Sequence, residues 1–295
     1  MPEENLDQQY YTDTFEHKKV RKKNNYPLHI GLFILTFITT TISGAQWLAG
    51  SEVSFQLSFL LKGLPYSISI LFIITCHEFG HYFAARFHKV DATLPYYIPF
   101  PYVPDFVNFG TMGAVIRTRS PIYTKQAMFD IGAAGPISGF IACLIVLIYG
   151  FTHVPGVDYI LSIHPNYFDQ NFGSNVLALK FGNTILFSFF KWIFVNPQQF
   201  FPPMTEIYHY PYLCVGWFGM LITAMNMIPI GQLDGGHISY TLFGGKTHYK
   251  IAVICFVILF VFGVMGFADV YLELNTGIGW AGWLFWALIL FFNKT

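Results

Sequence analysis

The stretch from Tyr66 to Phe87 reads YSISILFIITCHEFGHYFAARF. Its first half carries no charge, and the whole run reaches the roughly 20 predominantly apolar residues that a helix needs to cross a bilayer. Yet His77, Glu78 and His81 sit inside it. Ionisable side chains at that depth are expensive and mark function. Residues four apart on a helix lie one turn above each other, so His77 and His81 face the same way and can grip one cation. Glu78 lies about 100° further round the helix. That is beside the cation rather than on it, where a carboxylate can take a proton from water held there. The run therefore predicts a membrane helix carrying a metal site.

Composition agrees. Of 295 residues, 54% are hydrophobic and 11% charged, against about 25% charged in a soluble domain. So little charge cannot cover a soluble globule, and 16 basic against 16 acidic residues leave no net field to attract nucleic acid. A soluble enzyme, a nucleic-acid binder and a disordered scaffold are excluded. Apolar runs at Leu28–Gly50, Tyr66–Phe87, Ala127–Phe151, Tyr212–Ile230, Ile251–Phe267 and Gly277–Phe292 predict an all-α polytopic membrane protein with about six transmembrane helices. They form one domain, 27–295, behind a polar cytosolic tail, 1–26, which lacks the apolar centre of a cleaved signal peptide.

Six crossings from a cytosolic N-terminus put 13 of the 16 Lys and Arg inside, leaving Lys62, Lys180 and Lys191 outside. This is the bias that short loops obey, and both termini are then cytosolic. The membrane would be the inner or plasma membrane if the source is bacterial. Phe181 to Val195 is apolar enough to tempt a seventh span, but Thr184, Ser188 and Lys191 line one side of it, which predicts a helix lying in the membrane interface. Pro95, Pro99, Pro101 and Pro104 exclude a regular helix between Asp91 and Arg119, so that segment is expected to be extended backbone at the cytosolic face. Cys76, Cys143, Cys214 and Cys255 show neither zinc-ribbon nor disulfide spacing and are expected to pack as small hydrophobes.

Catalytic zinc takes three protein ligands and leaves a fourth position open. The run from Asn226 to His237, NMIPIGQLDGGH, offers Asp234 as the third, with His237 as an alternative. Pro229, Gly231 and the Gly235-Gly236 pair interrupt the helix and let Asp234 turn inward. Depth is consistent: His77 lies about 13 Å inside the cytosolic boundary, and one crossing between the second and fourth spans returns Asp234 to that side. A seventh span would carry Asp234 to the far face. Asp130, at the start of the third span, is expected to cap that helix or to hydrogen-bond across to a neighbour. Gly132, Ala133, Ala134, Gly135 and Gly139 permit close helix packing there.

Four motifs together resemble the site-2 protease family of intramembrane zinc metalloproteases: His77-Glu78-x-x-His81, Asn226-x-x-Pro229-x-x-x-Leu233-Asp234-Gly235, Phe109-Gly110-Thr111-Met112-Gly113-Ala114, and the run Phe129 to Pro136. The resemblance implies cleavage of a partner's transmembrane helix within the bilayer. It implies one Zn²⁺ per chain held by His77, His81 and Asp234, with Glu78 as the catalytic base. Asn226 would position the substrate or cap the broken helix. The segment from Asp91 to Arg119 would be a membrane-associated β-hairpin. Expected partners are a transmembrane protein substrate and the lipid bilayer, with no nucleic acid. No inserted PDZ or nucleotide-sensing domain is expected. Two other classes fit the intramembrane ligands. A divalent-metal transporter or channel would need polar residues leading to the outer face, which the outer halves of the spans lack. An inactive relative that only binds membrane segments fits less well with an intact His77-Glu78-His81-Asp234 set.

Overall fold

The computed structural model describes residues 24–49, 54–103, 108–169, 172, 181–272, 274 and 276–292. The tail expected at 1–26 lies outside the described residues except for its last three, and so does Pro104.

Apolar backbone in lipid must bond its own polar groups, which favours helices, and the chain is mostly helical. Helix α1 spans Tyr26–Ala49. A short α2, Leu57–Leu60, runs through a 3-10 turn into α3, Leu64–Phe87, where Pro65 occupies the first turn and its missing N–H costs nothing. Helix α4, Lys125–Thr152, is capped by Thr124, whose hydroxyl accepts from the Ala127 amide at 3.1 Å. Then come α5 (Val157–Ile163), α6 (Ile185–Phe194), a 3-10 turn at Ile207–His209, α7 (Pro211–Asn226), α8 (Asp234–Tyr271) and α9 (Gly282–Phe292).

Among the described residues, four stretches are long and apolar enough to cross a membrane: Tyr26–Ala49, Leu57–Phe87, Lys125–Thr152 and Asp234–Tyr271. The other expected spans take different forms. The run 251–267 is the second part of α8, which breaks at Gly244 (φ 74°, ψ 164°), a backbone region open to glycine. Helix α7 has 16 residues and α9 only 11, giving about 24 Å and about 17 Å of helix against a hydrocarbon core of about 30 Å. Helix α6, with ten residues, is shorter still. It buries Phe187 and Phe190 while Ile185 and Trp192 stay exposed, the amphipathic habit expected of Phe181 to Val195.

Within the proline-rich segment, β1 (Tyr96–Pro99) and β2 (Thr111–Val115) pair antiparallel, with Tyr96 opposite Val115 and Tyr97 opposite Ala114. An isolated bridge joins Ala92 and Thr118. Side chains of the neighbouring helices satisfy the hairpin's loose backbone ends. The Thr39 hydroxyl donates to the Gly110 carbonyl at 2.6 Å, and the Trp47 indole N–H donates to the Asn108 carbonyl at 2.9 Å. The hairpin is thereby fastened to α1.

The core lies where α3, α4 and α7 meet, with Tyr66, Leu147, Phe187 and Leu213 fully enclosed. Cys143 and Cys214 are buried, Cys76 and Cys255 partly so, and all four thiols are free. Helices α3 and α4 approach closely enough for the Ser138 hydroxyl to donate to the Cys76 carbonyl at 2.8 Å. A Cβ at Gly80 would overlap the Ser138 hydroxyl and the Ala134 carbonyl. We expect Gly80→Ala to lower stability by about 1–3 kcal/mol, as overpacking does, and so to lower the melting temperature in detergent. Gly31→Ala, in open space on α1, should leave it unchanged. Equal melting temperatures for the two variants would contradict this packing.

Candidate metal centre

His77 and His81 leave α3 one turn apart on the face that meets α4. Two α4 residues make the room. A Cβ at Gly135 would overlap the His81 ring, and one at Gly139 would stand 3.0 Å from His77 Cβ and Nδ1. The Ile131 carbonyl lies 2.6 Å from His81 Nδ1. A carbonyl only accepts, so Nδ1 holds the proton and Nε2 turns its lone pair toward the site, the arrangement that orients metal-binding imidazoles. Pro136, inside α4, lacks the amide that would bond Gly132 and loosens the turn that presents this carbonyl.

The third side chain arrives from a broken helix. After α7 ends, residues 227–233 form a tight turn in which the Ile230 amide bonds the Ile228 carbonyl and the Leu233 amide bonds that of Ile230. Asp234 then opens α8. Its Oδ2 lies 3.2 Å from His77 Nε2, its Oδ1 lies 3.3 Å from His81 Nε2, and the two nitrogens are 3.1 Å apart. All three side chains are mostly buried. Tetrahedral zinc with bonds of about 2.0–2.1 Å holds neighbouring ligand atoms about 3.3 Å apart. The three groups fit one such ion. Glu78 is 7% exposed, with His81, Asp234 and the backbone of Ile116, just beyond β2, among its neighbours.

Other expected residues are placed differently. His237 sits one turn along α8 with its Cβ against Gly132, so Asp234 and not His237 joins the histidines. Asn226, the last residue of α7, is half-buried. The helix end there is closed by backbone, with the Met227 and Ile228 amides bonding the Thr223 and Met225 carbonyls. Asp130 makes the interhelical contact expected of it: its Oδ2 lies 2.8 Å from His88 Nε2, just past the end of α3.

A second gathering of ligand-type side chains was not foreseen. His164, the residue after α5, meets Glu206 and His209 of the turn before α7. Burial pushes His209 down to about 4, lowers His164 and raises Glu206. The sequence signal that would have pointed here is Glu206-x-x-His209, two ligand types on one short turn.

The family model described as Peptidase family M50 matches residues 65–266. Among curated proteins, the chain is 26% identical to "Probable zinc metalloprotease EGY2, chloroplastic" of Oryza sativa subsp. indica, over 80% of this chain and 37% of that one. It is 29% identical to "Probable zinc metalloprotease EGY1, chloroplastic" of Oryza sativa subsp. japonica, over 73% and 34%. It is 24% identical to "Probable zinc metallopeptidase EGY3, chloroplastic" of Arabidopsis thaliana, over 90% and 44%. The chain thus spans less than half the length of these relatives. No solved structure matches it significantly. We expect His77→Ala and Asp234→Ala each to remove one equivalent of zinc from the purified protein, and His237→Ala to remove none. Metal content by atomic emission checks this, and loss in His237→Ala with retention in Asp234→Ala would contradict the ligand set.

Proposed function

Because the chain belongs to peptidase family M50, the site-2 protease family, we propose that it is a zinc-dependent intramembrane endopeptidase hydrolysing peptide bonds in transmembrane segments of partner proteins. The observation that carries this reading is the convergence of two imidazoles and a carboxylate within 3.3 Å of one another, beside a buried Glu78, among apolar helices.

In this reading His77 Nε2, His81 Nε2 and an Asp234 oxygen hold the ion. Zinc at such a site supplies Lewis acidity and acidifies water. Glu78 accepts a proton from water and returns it to the leaving amide nitrogen. Its low exposure keeps competing bulk water away from the carboxylate. The Ile131 carbonyl fixes the ring of His81, and α4 lies against both histidines at Gly135 and Gly139.

A helical substrate must unwind before its peptide bonds are exposed. Strand β1 lies against α1, and β2 runs on to Ile116 beside Glu78. The outer edge of β2 is the edge to which an unwound substrate adds as a strand, delivering its backbone to the base. With both termini cytosolic, this face of the bundle is the cytosolic one.

Glu78→Gln is expected to lose cleavage of a helical membrane substrate by at least about 100-fold while retaining its zinc. Undiminished proteolysis would reject Glu78 as the base. Met112→Pro and Val115→Pro should slow cleavage of a helical segment, and unchanged rates in both would remove the strand from the mechanism.

A further inference from the structure

We propose a second divalent-metal site, of the zinc class, formed by His164, Glu206 and His209 at the end of the bundle remote from the first.

The geometry resembles that of the first centre. His164 Nε2 and His209 Nε2 are 2.9 Å apart. Glu206 Oε2 lies 3.5 Å from His209 Nε2 and 3.8 Å from His164 Nε2. These separations bracket the roughly 3.3 Å between ligand atoms around one tetrahedral zinc ion. As at His81, a backbone carbonyl orients one ring: Leu48 O lies 2.6 Å from His209 Nδ1. That nitrogen must hold the proton, so the neutral ring turns a lone pair from Nε2 toward Glu206 and His164.

What asks for a cation is the carboxylate. Glu206 is 7% exposed, and its Oε2 is buried with no hydrogen-bond partner among the described residues. Burying an acceptor unpaired costs about 1–3 kcal/mol, more when it is charged. The two imidazoles do not resolve this. His209 has no proton to give from Nε2, and His164 Nε2 lies nearer to His209 than to the carboxylate. One divalent ion satisfies both nitrogens and the orphaned oxygen together. Two nitrogen donors and one oxygen donor suit zinc-class ions better than calcium or magnesium, which prefer all-oxygen sites.

Position gives the site its role. Helix α7 separates the turn at Ile207–His209 from the break before Asp234, which puts the two centres about 24 Å apart along that axis. His164 ends α5, Glu206 and His209 precede α7, and His209 reaches the last turn of α1 through Leu48. The Tyr159 hydroxyl donates to the His209 carbonyl at 2.7 Å. An ion here staples the end of α5 and the turn before α7 to each other, beside the end of α1. It lies away from Glu78 and has no part in the hydrolysis proposed above. The His164 side chain, about a quarter exposed, is the way in.

The test strips the full chain in detergent with a chelator, reloads it with Zn²⁺ alone, and counts metal per chain after gel filtration. The expected values are two for the wild type, one for Glu206→Gln, one for His77→Ala/His81→Ala, and none for the three substitutions combined. In the His77→Ala/His81→Ala background, Zn²⁺ should raise the melting temperature, and Glu206→Gln should abolish that rise. Should Glu206→Gln fail to fold, His164→Gln replaces the most exposed ligand and must weaken zinc binding in that background at least tenfold. Absence of zinc from His77→Ala/His81→Ala, or retention undiminished by both Glu206→Gln and His164→Gln, overturns the site. No cleavage is measured, so a failed protease reading leaves this result unaffected.

Discussion

A hydrogen bond of 2.6 Å crosses from His81 on α3 to the Ile131 carbonyl on α4, and it forms because Gly135 leaves the imidazole room to lie between the helices. The rest of the centre follows from that approach. Imidazoles in an apolar bundle need partners, since an unpaired buried polar group is costly. Helix α4 supplies a carbonyl for one ring and the space of Gly139 for the other. Ser138 ties the same two helices together at the Cys76 carbonyl, next to His77. Larger residues at 135 or 139 would push the helices apart and move both nitrogens off their common focus.

The second requirement is a helix that stops in the right place. A continuous helix through residues 227–233 would carry Asp234 about 10 Å further along its axis. The break returns the chain on itself, and a Cβ at Gly235 would overlap the Met227 carbonyl, so the turn is as tight as backbone allows. Asp234 meets the histidines because α7 ends, and it stays there because α8 packs against α4. The hairpin adds a third element at the same end. Pinned to α1 by Thr39 and Trp47, it brings irregular backbone to the buried Glu78.

Much of this was legible in the residues, and the exceptions have physical causes. The pair His77 and His81 declares itself by helical spacing, and the prolines between 95 and 101 excluded helix where a hairpin stands. The preference for Asp234 over His237 agrees with the geometry, though spacing alone left both open. Span lengths were less legible. Hydropathy registers the apolar run 277–292 but not that its helix begins only at Gly282, after Gly277 takes a positive φ of 63°. The His164, Glu206 and His209 group was legible only in part: Glu206-x-x-His209 sets two ligand types on one turn, but periodicity reports only neighbours on one element and says nothing of His164. Its members meet through the folding back of α5 onto the turn before α7, a contact that no local pattern encodes.

The claim on which the rest stands is that His77, His81 and Asp234 share one ion. Zinc K-edge X-ray absorption on the Glu206→Gln protein, in which the second site is disabled, tests it most directly. The expected spectrum shows imidazole scattering and only nitrogen or oxygen neighbours at about 2.0–2.1 Å, and it disappears with the metal when His81 and Asp234 are both replaced by Ala. Sulfur at about 2.3 Å, or an unchanged spectrum in that triple variant, would contradict the shared centre.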